Sequence, residues 1–478
     1  MTEPDPTAIP AKVRTTKRTR VTAMIVASAF FMQNLDSTVL ATALPTMADA
    51  FGADPVHMNV ALTSYLLSLA VFIPASGWVA DRFGGRNVFR VAIAVFTLGS
   101  VLCGRAESLP FLVFARIVQG AGGAMMIPVG RIVLLRTAAK SEIVAAMAWL
   151  TTPALIGPIL GPPLGGLIVT YLSWRWIFDI NIPIGILGIV LASIYIEDVR
   201  EPHTTRFDAL GLLLSAVALA CLMFGFETIG RGVVDTELSL AAFAAGLASG
   251  LLYWRHARRH AAPLIDFGLL RFKSFAVSVV AGSLFRIGIG AMPFLLPMML
   301  QIGFGNSALQ SGLITFASAA GALLMKPVAQ RVLRRFGFRD TLVWNALAAA
   351  ILLGLCAAFT PDWPAIAMYG VLLVGGFFRS LQFTAYNALA YAELQRGQIS
   401  AATSFYSAVQ QLSLTIGITI GAAALQVAML LSNHDEPGAT DFRLAFVVIA
   451  VIALAASPLS RLMPRAMGEE MSGARRSR

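Results

Sequence analysis

The stretch Gly77-Trp78-Val79-Ala80-Asp81-Arg82-Phe83-Gly84-Gly85-Arg86 joins two long apolar segments near the start of the chain. A weaker copy, Arg334-Arg335-Phe336-Gly337-Phe338-Arg339, again lies between two apolar segments, in the second half of the chain. In each half the loop joins the second apolar segment to the third. The repeat predicts two halves of similar structure, arranged as parallel repeats around a shared central cavity.

The composition around these loops is that of a protein whose solvent is lipid. Hydrophobic residues make up 57% of the 478-residue chain, charged residues only 13%, and the mean hydropathy is +0.75. A helix needs roughly 20 apolar residues to cross about 30 Å of hydrocarbon, and stretches of this length recur along the chain. Strands of a membrane barrel would instead alternate over about 10 residues. We therefore expect an all-α membrane protein.

Turn and charge signals divide the apolar sequence into fourteen predicted membrane-spanning helices. They cover residues 21–48, 57–80, 88–104, 108–136, 141–172, 176–197, 208–228, 236–256, 274–302, 306–333, 340–360, 364–392, 398–431 and 442–463. Two polar linkers bracket the seventh and eighth segments, which suggests a helix pair inserted between two six-helix halves. The predicted organisation is an N-terminal tail (1–20), a six-helix bundle (21–197), the inserted pair with its linkers (198–273), a second six-helix bundle (274–463) and a C-terminal tail (464–478).

The net charge of +11 comes from 36 lysines and arginines that are distributed unevenly between the two sides of the membrane. Only four of them fall in predicted loops on one side: Arg105, Arg175, Arg231 and Arg443. The loops on the other side and both tails hold most of the remainder. This asymmetry follows the positive-inside rule and predicts that both termini are cytoplasmic. The basic charge therefore indicates topology, and no nucleic-acid partner is expected.

The residues needed for redox, metal or nucleotide chemistry are few and poorly placed. All three cysteines fall inside apolar segments, so no disulfide framework, metal site or cofactor is expected. The five histidines lie in or beside predicted loops, which argues against haem ligation within the membrane. No GxxxxGK[ST] loop supports direct use of ATP. A membrane enzyme is therefore not expected, which leaves a transporter, or a non-transporting sensor or scaffold with a transporter fold.

Asp36 lies in the middle of the first apolar segment, where a carboxylate costs several kcal/mol unless it is paired, neutralised or exposed to water. If the first helix ends near Thr46 and the fourth begins near Ser108, Asp36 and Arg116 lie about 15 Å and 12 Å below the same face. The two side chains could therefore meet. Such a pair would keep Asp36 ionised until a proton and a moving helix separate it, which would couple proton movement to a conformational change. A static buried pair is the alternative.

Two further arginines, Arg286 and Arg379, are expected near mid-depth in the second half, without a carboxylate from that half opposite them. Together with Arg116 they exceed the single negative charge of Asp36. A buried cavity tolerates such a surplus poorly unless an anion or carbonyl groups compensate it. An anionic or zwitterionic substrate would do so. The alternative is that backbone carbonyls or Gln382 hold these arginines.

Other polar and aromatic residues in the segments could contact a substrate or bond between helices. The candidates for lining a substrate cavity, besides the two arginines of the second half, are Asn34, Gln119, Gln382, Phe383, Tyr386 and Gln410. Asp179 lies near the start of the sixth segment, one or two helical turns inside the outer face of the membrane. It is either a second proton site or the partner of Arg175.

Four motifs resemble those of the major facilitator superfamily and, within it, the 14-helix drug:proton antiporter branch that includes the MdtD-like multidrug exporters. They are the loop at 77–86, with Gly85 where a basic residue is common; Leu35-Asp36-Ser37-Thr38-Val39 with Ala43-Leu44-Pro45; Arg116-Ile117-Val118-Gln119-Gly120; and Gly157-Pro158-Ile159-Leu160-Gly161-Pro162-Pro163-Leu164-Gly165-Gly166. The resemblance extends over nearly the whole chain. It implies the major facilitator fold, a bacterial inner membrane, and proton-coupled export of small amphiphilic molecules by a monomer through alternating access.

The resemblance also implies roles for two groups of residues in the conformational change. Five belong to the loop after the second helix: Gly77, Asp81, Arg82, Gly84 and Arg86. Asp81 is expected to face the start of the thirteenth helix near Ser400 and to latch the outward-open state. Five others belong to a kinked, tightly packed fifth helix that is expected to help seal the cavity against proton leak: Gly157, Pro158, Gly161, Pro162 and Gly165.

Overall fold

The structure is a computed structural model that describes residues 16–52, 58–197, 206–228, 235–434 and 437–472. Within these ranges the regular structure is entirely helical. The α-helices are α1 (Lys17–Phe51), α2 (Asn59–Phe72), α3 (Ser76–Phe83), α4 (Gly85–Gly104), α5 (Leu109–Thr137), α6 (Ile143–Tyr171), α7 (Trp176–Asp179), α8 (Asn181–Tyr195), α9 (Ala209–Thr228), α10 (Thr236–Ala257), α11 (Lys273–Gly290), α12 (Met292–Met298), α13 (Ala308–Met325), α14 (Ala329–Leu355), α15 (Ala365–Leu389), α16 (Ile399–Ser432), α17 (Asp441–Leu454), α18 (Ala456–Arg461) and α19 (Glu469–Ser472).

These helices correspond to the fourteen predicted spans. Among the described residues, twelve helical stretches are long and apolar enough to cross a membrane. The 29-residue helix α6 and the shorter apolar stretch Gln310–Met325 in α13 account for the other two. Some spans consist of two helices, because a 3-10 turn at Ile73–Ala75, which contains Pro74, joins α2 to α3. The predicted all-α architecture is thereby confirmed for the described residues.

The repeated loop has the same backbone feature in both copies. Gly84 has φ +87° between α3 and α4, and Gly337 has φ +74° within α14. Only glycine adopts such a φ readily, so each copy needs a glycine where the chain turns from one helix into the next. The turn at Gly337 divides α14, so that its first turns continue the span of α13 and the remainder forms the next span. The two halves therefore share this turn at equivalent positions.

Helix packing follows the predicted halves. Helices α1 to α8 pack mainly on one another, as do α11 to α18, and α9 packs along α10. Helix α9 also contacts α2 of the first bundle and α16 of the second. The Thr419 hydroxyl of α16 donates a hydrogen bond to the Phe226 carbonyl of α9 at 2.6 Å. The inserted pair thus touches both bundles. The exact bundle boundaries stay a prediction.

The buried apolar side chains are distributed differently at the two ends of the molecule. We call the end that carries the loops at 83–85, 137–143 and 390–398 the basic face, and the other end the opposite face. One large cluster of buried side chains, including Phe89, Met147 and Tyr406, is continuous from the first bundle into the second. A separate cluster, including Leu40 and Trp174, lies near the opposite face and contains only first-bundle residues. The bundles therefore share a core toward the basic face.

Candidate functional site

Asp36 and Arg116 form an ion pair inside the first bundle. Arg116 Nη1 lies 2.6 Å from Asp36 Oδ2, and neither side chain is exposed to solvent. Arg116 Nε donates to the Ala61 carbonyl at 3.2 Å, and its guanidinium lies 4.3 Å from the centroid of the Tyr65 ring. Helices α1, α2 and α5 therefore all contact this one arginine. The structure brings together the two residues that the sequence placed at similar depth.

The other carboxylate oxygen of Asp36 is held by two amides. Oδ1 accepts hydrogen bonds from Gln119 Nε2 at 2.8 Å and from Asn181 Nδ2 at 3.0 Å. Both amides also donate to the Ser100 hydroxyl, at 2.7 Å and 3.2 Å respectively. Gln119 Oε1 in turn accepts a 2.5 Å hydrogen bond from Arg116 Nη1. We call these five side chains, Ser100, Asp36, Arg116, Gln119 and Asn181, the carboxylate network.

N–H donors surround both oxygens of the Asp36 carboxylate. Oδ2 accepts from Arg116, and Oδ1 accepts from Gln119 and Asn181. Arg116 Nη2 has no hydrogen-bond partner among the described residues, so both N–H groups of that nitrogen are unsatisfied in this conformation. Burial makes such groups costly when they are unpaired. A change in the charge of Asp36 would therefore affect four helices of the first bundle at once.

A second set of arginines meets around Tyr406, at the boundary between the bundles. Arg286 Nη2 donates a hydrogen bond to the Tyr406 hydroxyl and another to Asn387 Oδ1 at 3.4 Å. The Arg286 guanidinium lies 4.7 Å from the centroid of the Tyr406 ring, and Arg131 lies 6.0 Å from the same centroid on the first-bundle side. Arg131 is 3% exposed and Arg286 1%.

Neither of these guanidiniums has a counter-charge among the residues that the structure describes. Nε and Nη1 of Arg131, and the same two atoms of Arg286, are buried without a hydrogen-bond partner among the described residues. Neither arginine forms an ion pair with a described carboxylate. Two buried positive charges near one tyrosine, one from each bundle, create a strongly electropositive site between the halves.

Arg379 lies apart from this pair and is half-buried. Its Nη2 donates to Ser318 Oγ at 2.7 Å, and the side chain borders a small cavity. Ile289, Leu353 and Val371 are among the apolar residues that line the cavity. Arg379 is thus the charged group of a largely apolar cavity inside the second bundle.

We call Arg131, Arg286 and Tyr406 the arginine site. Some of the remaining cavity candidates form structural hydrogen bonds, and others lie near this site. Gln382 does not hold an arginine, because its amide is already bonded to Asn345 Nδ2 at 2.7 Å and to the Leu342 carbonyl at 3.0 Å. Asn34 Nδ2 donates to the Phe30 carbonyl at 2.8 Å within α1. The Gln382 amide therefore joins α15 to α14, whereas the Asn34 bond lies within one helix.

Phe383 lies beside the arginine site: the centroid of its ring is 5.6 Å from the Arg286 guanidinium. The Tyr386 hydroxyl is hydrogen-bonded to Ser460 Oγ at 2.9 Å and is fully buried. Gln410 is half-buried on α16, one turn beyond Tyr406.

Asp179 pairs with a different arginine from the one that the sequence suggested. Its Oδ2 lies 3.6 Å from Arg105 Nη1, at the end of α4. Arg175 instead donates to the Ala106 carbonyl at 3.3 Å and stacks on Trp174 at 4.4 Å. The reason is the short helix α7, which directs Asp179 toward α4 and leaves Arg175 beside its neighbouring tryptophan. Asp179 lies outside the carboxylate network.

The loop after α3 is in contact with the start of α16 at the basic face. Asp81 Oδ1 accepts hydrogen bonds from Arg136 Nη2 and Ser400 Oγ, both at 2.6 Å. The Gly77 N–H donates to Ser404 Oγ at 2.8 Å. A Cβ atom added to Gly77 would lie 2.6 Å from the Ser400 carbonyl oxygen, so only glycine permits this approach. We call these contacts the latch.

Three other residues predicted in this loop have separate positions. Gly84 forms the turn into α4, Arg82 is exposed, and Arg86 is half-buried on the first turn of α4. Gly85 packs against Val133, and a Cβ atom there would lie 2.8 Å from Val133 Cγ2.

The glycines of α6 pack against α1. A Cβ atom on Gly157 would lie 3.0 Å from the backbone nitrogen of Leu35, and one on Gly161 only 2.1 Å from Thr38 Oγ1. Gly165 is buried on the same helix. The side chains of Pro158 and Pro162 lie outside the described residues. The α1–α6 contact therefore directly flanks Asp36, which lies between these two positions on α1.

Sequence reasoning did not assign a role to four residues that the structure places at these sites: Ser100, Arg131, Asn181 and Tyr406. Arg131 lies within the predicted span 108–136, and a charged residue inside a span is by itself a functional candidate. The other three are uncharged, and polar residues of this kind occur in many spans for packing alone. Only their contacts identify them.

Among the described residues, two bundles of apolar helices with charged side chains buried in and between them form an architecture that is typical of membrane transporters. The chain belongs to the major facilitator superfamily, because the family described as Major Facilitator Superfamily matches residues 26–254 and 278–474. It is therefore a transporter and not an enzyme, as the sequence predicted.

Its relatives include bacterial proteins that carry the name "Putative multidrug resistance protein MdtD". The protein of Klebsiella pneumoniae (strain 342) is 40% identical over 446 residues, which cover 92% of this chain and 93% of the relative. The protein of Serratia proteamaculans (strain 568) is 41% identical over 404 residues, which cover 83% of each chain. The predicted likeness to the MdtD group is confirmed.

Two solved structures share the fold. The human organic anion transporter MFSD10 (TETRAN) superimposes with a TM-score of 0.67 at 14% identity, covering 92% of this chain and 99% of that one. The proton:xylose symporter XylE superimposes with a TM-score of 0.66 at 14% identity, covering 95% of this chain and 97% of that one. At these identities the likeness concerns the fold alone.

Proposed function

We propose that this chain is a proton-coupled exporter of small amphiphilic molecules that works by alternating access in a bacterial inner membrane. The observation that supports this most directly is the complete burial of Asp36 against Arg116, with both carboxylate oxygens bonded. A buried ionisable group inside a membrane bundle is expensive, and it is retained where its change of charge is used.

Protonation of Asp36 would remove the negative charge from the carboxylate network. Arg116 would then be a buried cation without a counter-charge, and the pair would no longer hold α1 to α5. Helix α1 packs along α6, and α6 contacts α13, α14 and α15 of the second bundle. A shift of α1 would therefore reach the boundary between the halves through α6 by direct packing.

The basic face is assigned to the cytoplasm because it carries most of the lysines and arginines, and both termini are placed there. The latch and the shared core then close the cytoplasmic side, which corresponds to an outward-open conformation. In this scheme a proton from outside reaches Asp36, the latch opens, and the proton is released inside. A single chain is sufficient, since both halves and the latch belong to it.

A second candidate function, export of an organic anion, is favoured by the arginine site. Arg131 belongs to the first bundle, and Arg286 and Tyr406 belong to the second. An anion bound there would contact both halves and would compensate two buried charges that have no counter-charge among the described residues. Carboxylates and metal–carboxylate complexes have the matching chemistry. A non-transporting sensor would retain the fold but would show no flux.

The test is transport by the purified protein in proteoliposomes with an imposed pH gradient. Organic cations and organic anions are offered separately, and proton movement is followed with a pH-sensitive dye inside the vesicles. We expect substrate-dependent proton flux for wild type and none for Asp36→Asn. Asp49→Asn, an exposed acid on the same helix, is the matched control and should behave as wild type. Full pH-driven transport by Asp36→Asn would refute the coupling.

The same vesicles decide between the two substrate classes. Substitution of Arg131 or Arg286 by Gln should reduce anion export at least about tenfold, which corresponds to one lost charge-assisted hydrogen bond. Arg396→Gln, at an exposed position, is the control. Equal loss of cation and anion export in the two variants would instead mean that these arginines only support the structure. Absence of any flux with folded protein would favour the sensor.

A further inference from the structure

A cluster of potential metal ligands joins the two inserted helices at the basic face. Asp208 caps the start of α9, and His256 and His260 lie on the last turn of α10 and just beyond it. One ligand atom from each of the three side chains lies within 4.8 Å of the others. Asp208 is 48 residues from His256 in the sequence, and the packing of α9 along α10 brings it to the two histidines.

The two histidines are arranged as a chelating pair. The His260 N–H donates to the His256 carbonyl at 2.9 Å, so the helical turn continues through His260 and places both imidazoles on one side of it. Their ring centroids are 5.1 Å apart and their planes differ by 31°. Histidines four residues apart on a helix can bind one metal ion together.

The carboxylate of Asp208 supplies the second, independent indication. Its side chain is 2% exposed, and Oδ1 already accepts from the Gly211 N–H at 2.8 Å and contacts His256 Nε2 at 2.7 Å. The other oxygen, Oδ2, is buried and has no hydrogen-bond partner among the described residues. A carboxylate oxygen in that situation costs free energy unless a cation or donor meets it.

We propose that Asp208, His256 and His260 bind a divalent transition-metal ion of the Zn²⁺ class. Two imidazole nitrogens and one carboxylate oxygen are a ligand set that such ions accept, with the remaining position left to water. The ion would meet Asp208 Oδ2, the oxygen that has no hydrogen-bond partner among the described residues. An imidazole nitrogen binds a metal ion only when it carries no proton, so affinity falls as the pH is lowered.

The site has a defined structural consequence. It ties the start of α9 to the end of α10 at the basic face, where the two linkers of the inserted pair meet the bundles. Phe207, the residue before Asp208, packs against Trp78 beside the latch, with ring centroids 4.7 Å apart. A bound ion would therefore stiffen the inserted pair next to the contact that closes this face. The proposal is independent of proton coupling and of substrate class.

Neighbouring positive charges affect how strongly the proposed site binds a metal ion. Arg255, Arg258 and Arg259 share the end of α10 with the two histidines and repel a cation. All three are exposed, and Arg258 stacks on Trp254 at 4.9 Å, so solvent and salt screen much of this repulsion. Binding should therefore be stronger at high than at low ionic strength.

The experiment uses the full chain in detergent, with any affinity tag removed and the protein treated with chelator and then dialysed against ZnCl₂. We expect one Zn²⁺ per chain by mass spectrometry of the metal and a higher unfolding temperature with Zn²⁺ than without. His260→Gln should weaken binding at least about tenfold, as should Asp208→Asn, which keeps a cap for α9. His434→Gln, whose imidazole pairs with Asp441, is the control and should bind as wild type.

Size-exclusion profiles establish that each variant is folded before binding is compared. Binding of Zn²⁺ by His260→Gln and Asp208→Asn with wild-type affinity would overturn the proposal, as would failure of the wild-type chain to retain Zn²⁺. Proton-driven transport by Asp36→Asn would leave this result untouched, because the two sites share no residue.

Discussion

Replacing Gly77 by alanine tests whether the latch closes the basic face. The added Cβ would lie 2.6 Å from the Ser400 carbonyl oxygen and 2.7 Å from Ser404 Oγ. Ordinary van der Waals contact begins at 3.4 Å, and the nearest atom belongs to the backbone of α16, so the helix itself would have to move. Overpacking of this kind costs about 1–3 kcal/mol.

This cost applies only when the two bundles are in contact at the basic face. The gain in helix propensity from glycine to alanine, about 0.5–1 kcal/mol, is the same in every conformation and cancels from the comparison. The equilibrium should therefore shift by about 5- to 150-fold toward the conformation in which this face is open. The Gly77 N–H bond to Ser404 would be lost in the same step.

The assay is double electron–electron resonance, which measures the distance between spin labels on the two bundles. Ala139 and Arg396 are exposed positions on the basic face, one in each bundle, and both are replaced by labelled cysteine after the three native cysteines are changed to alanine. Wild type should give mainly the short distance between the labels. Gly77→Ala should increase the population of a longer distance.

The matched control is Gly370→Ala, in a membrane helix where an added Cβ would meet nothing within 4 Å. It should give the wild-type distance distribution. If Gly77→Ala also gave the wild-type distribution, the close approach of Gly77 to α16 would not limit opening. If Gly370→Ala shifted it equally, the effect would be one of helix propensity and not of the latch.

Three further predictions concern the first bundle. Asp36→Asn should lower stability by about 3–5 kcal/mol in thermal or denaturant unfolding, because Arg116 becomes an unpaired buried charge, and adding Arg116→Gln should recover most of the loss; a double variant as unstable as the single one would contradict this. Gly161→Ala should cost about 1–3 kcal/mol by overlap with Thr38, and Thr38→Ala in the same chain should recover only part of the loss, because Oγ1 is removed but Thr38 Cβ would still lie 2.7 Å from the added Cβ; full recovery or none would contradict this. Asp179→Asn should cost less than about 1 kcal/mol and keep proton-coupled flux, because its arginine partner is 64% exposed; loss of coupling would make Asp179 a second proton site.

Where the sequence placed residues by depth, the structure agrees. Asp36 and Arg116 were assigned similar depths from helical rise alone, and their side chains are 2.6 Å apart. The rise of a helix is fixed by backbone hydrogen bonding, so depth can be counted along the chain. The equivalence of Gly84 and Gly337 follows for the same local reason, since each needs a positive φ.

Where the answer depended on how helices rotate against each other, the sequence was insufficient. Gln382 was considered as a partner for arginine, and it bonds α14 instead. The sequence leaves Asp179 as either a second proton site or the partner of Arg175, and in the structure its ion pair is with Arg105. Arg131 faces Tyr406 across the boundary between the bundles, a contact that no spacing within one helix encodes.

By itself the sequence determined that the protein lies in a lipid bilayer. It also determined the number of membrane-spanning helices, the twofold repeat and the family. These follow from the length of apolar runs and the position of charges, because a bilayer imposes one requirement on every span. The tertiary structure alone decided which buried polar groups meet. Asn181 joins Asp36, and His256 joins Asp208, because packing between helices sets the direction of each side chain, and that packing depends on contacts between residues far apart in the chain.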